Sequence, residues 1–243
     1  MTVRLSYCGA APLPDQLWSS WNLDPILIAV LAVAAGLFWQ HRRTLPTDRI
    51  WGLIGFGVLL LAFVSPLCAL TNALFSARTV HHLLLIVMAA PLFAMALANG
   101  RQSDRSPMPA LLCSTALLWF WHWPPAYSAA LTDSVIYWLM QVSLLGAAIW
   151  FWCRVLRSSD KPVAALLAIL AAMTQMGLLG AILTFAPAPL YAEHLATTAA
   201  YGLSAHEDQQ LAGLIMWVPA MLPYLALGGL VARSAWRRDV SPA

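Results

Sequence analysis

Charge is what this sequence has least of. Asp, Glu, Lys and Arg make up 9% of 243 residues, against roughly a quarter in a water-soluble domain. No ordinary aqueous surface can be built from so few. The ten carboxylates form no ladder inside an apolar run, which excludes the relay that a proton pump needs. Cys8, Cys68, Cys113 and Cys153 make no C-x-x-C pair and no zinc spacing, so no disulfide framework can be read from them. Also missing are G-x-S-x-G, H-E-x-x-H, a Walker loop and a dinucleotide fingerprint, so no enzyme is expected. A net charge of +3 is too small to suggest nucleic acid as a partner. Residues 1–20 hold no apolar core before Leu23. No cleavable signal peptide is therefore expected, and the first helix is to act as its own insertion signal.

What is there is apolar. Hydrophobic residues are 61% of the chain and its mean hydropathy is +0.73, so lipid must be the solvent for most of it. A hydrocarbon layer about 30 Å thick takes roughly 20 helical residues to cross. Seven segments qualify as candidates in an all-α bundle of seven transmembrane helices, with residues 1–243 forming a single polytopic membrane domain. Pro25–Gln40 opens behind Asp24 as its cap, and Ile50–Val64 closes at Ser65-Pro66. The third segment follows Ser76 and runs to Ala98, with a kink expected at Pro91. Ala110–Trp123 stops at Pro124-Pro125, with Trp119, Trp121 and Trp123 suited to an interfacial belt. Ser134–Val155 stands behind Asp133, the sixth runs from Pro162 to just before Pro187, and Ala205–Ala232 contains Pro219 and Pro223. The first and fourth are short for a full crossing.

The basic residues orient the bundle. Arg42, Arg43, Arg49, Arg101, Arg105, Arg154, Arg157, Lys161, Arg233, Arg237 and Arg238 share one side of a seven-span chain, leaving only Arg4 and Arg78 on the other. The positive-inside rule makes the crowded side cytoplasmic, with the N-terminus outside and the C-terminus in the cytoplasm. A six- or eight-span count would break this segregation.

With that topology the histidines gather. His41 is cytoplasmic, whereas His81, His82, His122, His194 and His206 collect on the outer face. Imidazole is the commonest metal ligand among side chains and suits copper, zinc or iron. It also makes an ordinary interfacial polar cap. Softer donors are present too. His81, Met88 and Met95 lie along one helical stripe, and Met173 and Met176 are neighbours on the sixth segment. Thioethers suit Cu(I), but Met is equally a gap-filler in apolar cores. Cys8 and Cys68 on the outer side could be further soft ligands.

Ser204-Ala205-His206-Glu207 reads as a capping box, which accounts for Ser204 and Glu207 without function. Asp208, Gln209 and Gln210 remain at the start of a span, where polar groups are expensive without partners. His206 and Gln210 face one neighbour. Arg78, the one outer cation near a helix start, could pair with Asp208, Glu207 or lipid phosphate, and lipid is the simplest choice.

Several blocks carry a resemblance: Leu23-Asp24-Pro25, Ser65-Pro66-Leu67, Phe75-Ser76-Ala77 leading to His82-Leu83-Leu84, and Trp121-His122-Trp123-Pro124. Gly180 through Pro187, Pro189-Leu190-Tyr191, Glu207-Asp208-Gln209-Gln210-Leu211 and Gly213-Leu214-Ile215-Met216-Trp217 complete it. The chain resembles the polytopic CtaG-like cytochrome c oxidase assembly factors, the multi-span type found with caa-type oxidases. The resemblance covers nearly the whole chain. It implies seven spans in the bacterial inner membrane, a role in maturing the oxidase, and copper as cargo. It also implies oxidase subunits and a periplasmic copper donor as partners. His82 and His122 match the family motifs. Where the family often carries a histidine four residues before the one matching His82, this chain has Arg78, and there is no histidine near Met140-Gln141. A metal site must therefore join His82 with His81, His122 or His206, or be absent.

The reading is an assembly factor acting at the periplasmic face, with a copper or small-solute transporter and a metal-free structural partner as alternatives. The topology is directly testable. Alkaline phosphatase fused after Ala243 is expected to be inactive, and a fusion within residues 192–203 active. The reverse pattern would overturn the placement of the histidines.

Overall fold

The computed structural model describes residues 6–41, 46–98, 105–158 and 161–240. Arg4, Arg42, Arg43 and Arg101 lie outside the described residues, as do the side chains of His41 and Arg238. Among the described residues the regular structure is helical, with short 3-10 turns, one π-helical stretch and one isolated bridge between Ser6 and Gly9. The α-helices are α1 (Pro25–His41), α2 (Pro46–Phe63), α3 (Leu67–Ala73), α4 (Phe75–Leu83), α5 (Ala90–Ala98), α6 (Met108–His122), α7 (Pro124–Thr132), α8 (Ser134–Arg157), α9 (Pro162–Phe185), α10 (Ala205–Trp217) and α11 (Met221–Val240).

Among the described residues, four helical runs are long and apolar enough to cross a membrane: Phe75–Leu97, Ser134–Arg157, Pro162–Phe185 and Ala205–Arg237. Thr47–Phe63 and Leu67–Ala73 would be a fifth if the pair, bent by 44°, is one span. The remaining two expected segments are helical but short. At 1.5 Å per residue, α1 and α6 reach only about 25 and 22 Å. This is a membrane protein on its surface chemistry as well. Ile26, Leu112, Val135 and Phe185 are all more than 60% exposed, an outward-facing apolar coat that suits lipid rather than water.

Local chemistry sets the helix ends. Asp24 Oδ1 accepts the Ile26 amide at 2.9 Å, and Asp133 Oδ1 accepts those of Val135 and Ile136. Two prolines perturb their helices in the same way, by lacking an N–H. Before Pro91 the ladder widens to a π-helical stretch, Leu84–Ala89, so the distortion falls one turn earlier than the proline itself. There the Ala90 amide bonds Leu85 O rather than Ile86 O. The freed Ile86 carbonyl takes the buried Trp152 indole N–H from α8 at 3.1 Å. Pro219 cannot donate to Ile215 O, and the Ala220 amide does so instead at 3.2 Å. That break separates α10 from α11. Trp123 leads into α7 rather than a plain loop. Of the three tryptophans expected as a belt, Trp123 is exposed. Trp119 and Trp121 donate instead to Gln175 of α9 and Ser143 of α8.

α9 and α10 touch backbone to backbone. A Cβ on Gly213 would collide with Gly180 O and Thr184 Oγ1, and one on Gly180 would lie 2.8 Å from Gly213 O. Without a hydrophobic drive between helices in lipid, such small-residue faces let dispersion act across touching backbones. The N-terminal segment is strapped across the end of the bundle at which α4, α8 and α10 begin. Cys8 and Cys68 are joined in a disulfide spanning 60 residues, which removes them as free soft ligands. Closing a loop that long limits the unfolded chain by about 4 kcal/mol. Asn72 donates to Gly9 O and Tyr201 to Pro12 O.

Gly213→Val should force α9 from α10 because the obstructing atoms include a backbone oxygen. A loss of about 3 kcal/mol or more is expected, read as a fall in thermal unfolding temperature in detergent. Gly146→Ala, facing open space, should leave it unchanged. An unaltered Gly213→Val protein would refute the close contact.

Candidate functional site

The site is assembled by a carboxylate. The first turn of α4 has unpaired amides, as every helix start does, and no side chain of its own caps them. Asp208, in the first turn of α10, supplies the cap from the neighbouring helix. Its Oδ2 accepts the Phe75 amide at 2.6 Å, and its Oδ1 accepts the Ser76 amide at 3.2 Å and the Ser76 hydroxyl. The side chain is wholly buried, and the positive end of the α4 dipole offsets its charge. The other polar residues of that turn serve the C-terminal carbonyls of α9. Gln209 Nε2 donates to Leu183 O, Gln210 Nε2 to Thr184 O, and His206 Nε2 bonds Ala186 O at 2.9 Å. Gln209 Oε1 also accepts the Leu190 amide. Ser204 and Glu207 form the reciprocal capping box.

Arg78 is not at a lipid surface. It is 1% exposed, donates to Thr71 O, Thr71 Oγ1 and Asn72 Oδ1, and lies 5.5 Å over the Tyr127 ring. Burying a guanidinium is costly unless its donors are occupied, and α3, which the sequence did not disclose, occupies them. Around it sit Phe75 and Tyr191, stacked at 4.2 Å, and Tyr127, whose hydroxyl is 2.6 Å from His194 Nε2. Burial, with the nearby Arg78 charge, holds His194 down at about 4, and burial pushes the Tyr127 phenol up. Tyr127 is therefore the donor and neutral His194 the acceptor. Tyr191 donates to the carbonyl of His122 at 2.8 Å, fixing the last turn of α6.

Behind this layer the structure brings His82 of α4 and His122 of α6 together, their ring centroids 6.3 Å apart. His122 Nδ1 lies 2.8 Å from Leu118 O. A carbonyl only accepts, so Nδ1 carries the proton and Nε2 keeps a lone pair. His82 Nε2 is buried with no hydrogen-bond partner, as is Thr79 Oγ1 one turn earlier. The two imidazoles border one small cavity with Thr79, Met176 of α9 and Met216 of α10, and the rest of its wall is aliphatic. His81 does not border this cavity, although its ring centroid lies 5.8 Å from that of His82. Its ring packs edge-on against Phe63 at 4.9 Å, with both nitrogens buried and unpartnered. Among the described residues no three His, Cys, Asp or Glu side chains cluster as a metal site. Sequence reasoning found His82, His122 and Met176. It gave no signal for Met216 beyond a family block, nor for the Tyr127–His194 pair.

A family model described as the cytochrome c oxidase caa3 assembly factor (Caa3_CtaG) matches residues 104–238. The chain belongs to this family. The match takes in α6 to α11, and with them His122, Met176, Asp208 and Met216. It does not reach α4, which carries Arg78, His81 and His82. No curated protein and no solved structure matched the chain.

Removing the charge from Asp208 while keeping its shape tests the anchor. Asp208→Asn should lower stability by about 2 kcal/mol, the scale of a hydrogen bond to a charged group. It should also loosen α4 against α10, measured as faster amide exchange at Phe75 and Ser76. Unchanged exchange there would refute the anchoring role.

Proposed function

We propose that this caa3 assembly factor crosses the bacterial plasma membrane seven times, with its N-terminus outside. It would support cytochrome c oxidase from the periplasmic face by handling copper, not by catalysing a reaction. Its partners are oxidase subunits and a periplasmic copper donor, and lipid surrounds the bundle. The observation that carries this reading is the His82–His122 pair in a chain of oxidase-assembly kinship. The support is that His82 Nε2 is buried without a hydrogen-bond partner and that His122 Nε2 keeps a lone pair. Copper enters here as cargo.

Two independent features support the orientation. Basic residues crowd the opposite side of the chain, and the Cys8–Cys68 disulfide lies at the histidine end. Disulfides persist in oxidising compartments such as the periplasm and are rare in the cytosol.

Deleting the protein should lower assembled cytochrome c oxidase activity at limiting copper, and added external copper should restore part of it. His82→Ala with His122→Ala should reproduce the defect while the protein stays in the membrane, and His41→Ala should not. Normal oxidase activity in the deletion strain at limiting copper would end the proposal.

A further inference from the structure

A groove runs down the side of the bundle between α1, α2 and α8. Its volume is about 280 Å³, just below the usual range for small-molecule pockets, about 300–1,000 Å³. Its wall extends from Asp24 to Leu31 on α1 and from Trp138 to Leu145 on α8, so each side covers about 10 Å of helix. Leu27, Leu59 and Phe63 make a buried floor, whereas Ile26, Val30 and Val142 at its rim are exposed. The groove therefore opens sideways, where a membrane protein meets hydrocarbon. Tyr7 closes the end at which α1 and α8 begin. Its ring stacks on Tyr137 at 5.2 Å and meets Trp138 edge-on at 4.9 Å, and its hydroxyl donates to Asp24 Oδ2 at 2.6 Å. The bonds from Tyr7 and from the Ile26 amide hold the Asp24 carboxyl below its usual range, so it is an anion at neutral pH. Among the described residues no Lys or Arg borders the groove.

We infer that this groove binds one phosphatidylethanolamine of the surrounding bilayer, part of one acyl chain lying between α1 and α8 and the head-group ammonium resting at Asp24. The tail fits by volume. At about 30 Å³ for a water-sized group, the groove takes roughly nine methylenes, a stretch of one chain and not a whole lipid. Filling it does not choose among lipids, because their chains are all as apolar as the groove and hydrocarbon supplies no hydrophobic drive. The choice falls to the head group. Asp24 already accepts from Tyr7 and Ile26, but a carboxylate has about four lone-pair sites, so it can take an ammonium as well. A primary ammonium brings three N–H donors, and hydrogen bonds between charged partners are the strong ones. The choline nitrogen carries no N–H. A phosphatidylglycerol head would set a net negative charge beside Asp24 with no basic residue on the groove to offset it. Depth agrees with this pose. Asp24 stands at the start of α1, where head groups lie, and the apolar wall continues about 10 Å below it.

The test uses the full-length protein in nanodiscs of equal parts phosphatidylethanolamine, phosphatidylglycerol and phosphatidylcholine with identical acyl chains, released into mild detergent and weighed by native mass spectrometry. Wild type should retain one phosphatidylethanolamine, about fivefold over either rival, the scale of one exposed ion pair. Asp24→Asn keeps the cap of α1, since Asn serves as well as Asp at that position, and should lose the preference while still retaining a lipid. Val30→Trp, which adds bulk at an exposed rim position, should lower retention of all three lipids. Asp15→Asn, an exposed carboxyl that does not border the groove, should behave as wild type. Equal retention of the three lipids by wild type, or no retained lipid, would overturn the proposal. So would an unchanged preference in Asp24→Asn, an equal loss of it in Asp15→Asn, or undiminished retention in Val30→Trp.

Discussion

The fold of this protein turns on one carboxylate placed where charge is hardest to place. Asp208 is fully buried near the start of a membrane helix, and it is stable there because the open amides of α4 point at it. The benefit is mutual: a helix start without its own cap is satisfied, and a buried anion finds donors and a favourable dipole. Since α4 carries His82 and α10 carries Met216, the same bond that satisfies both termini also sets the relative height of two cavity residues. Stability and site geometry are not separable at Asp208.

The same accounting explains most of the polar residues that a membrane chain should avoid. Within lipid no water can take up a stray backbone group. Gln209, Gln210 and His206 answer the carbonyls at the end of α9, and Trp152 answers the Ile86 carbonyl released by the π-helical stretch before Pro91. Arg78 is answered by α3 and Tyr127. Against that background the Nε2 of His82 is one of a small set of buried atoms left without a partner. It is not alone: both nitrogens of His81, the Gln141 amide and Thr79 Oγ1 are likewise buried without a hydrogen-bond partner.

What was legible in the sequence was whatever a few consecutive residues decide. Asp24 and Asp133 as caps and the Ser204–Glu207 box are local patterns, and they occur as read. Long apolar runs located the helices, although α1 and α6 fall below a full crossing by length alone. What stayed hidden was non-local. Nothing near Cys8 points to Cys68, and nothing near Arg78 reveals that a seven-residue helix before it will occupy its donors. Lipid phosphate was the simplest partner only while α3 was unseen. The histidine pair was half legible: topology gathered five imidazoles at one end, but only helix packing separates His82 and His122 from His206, which is spent on a carbonyl. Met216 carried no signal because a thioether in an apolar helix looks like any other core residue.

On the family resemblance a histidine would be expected one turn before His82, and Arg78 in its place changes the kind of site this end of the bundle could hold. Two histidines at i and i+4 would clamp an ion on one helix, and that clamp would survive small shifts of its neighbours. Here the cation turns away toward α3, and the second imidazole comes from α6. Donors spread over separate helices depend on how those helices sit. A displacement of about 1 Å is half a metal–nitrogen bond length, enough to move a donor out of coordination without breaking any of the bonds within its helix. Any ion held by such a pair would therefore be coupled to the seams that hold the bundle, the Asp208 cap between α4 and α10 and the Gly180–Gly213 contact between α9 and α10.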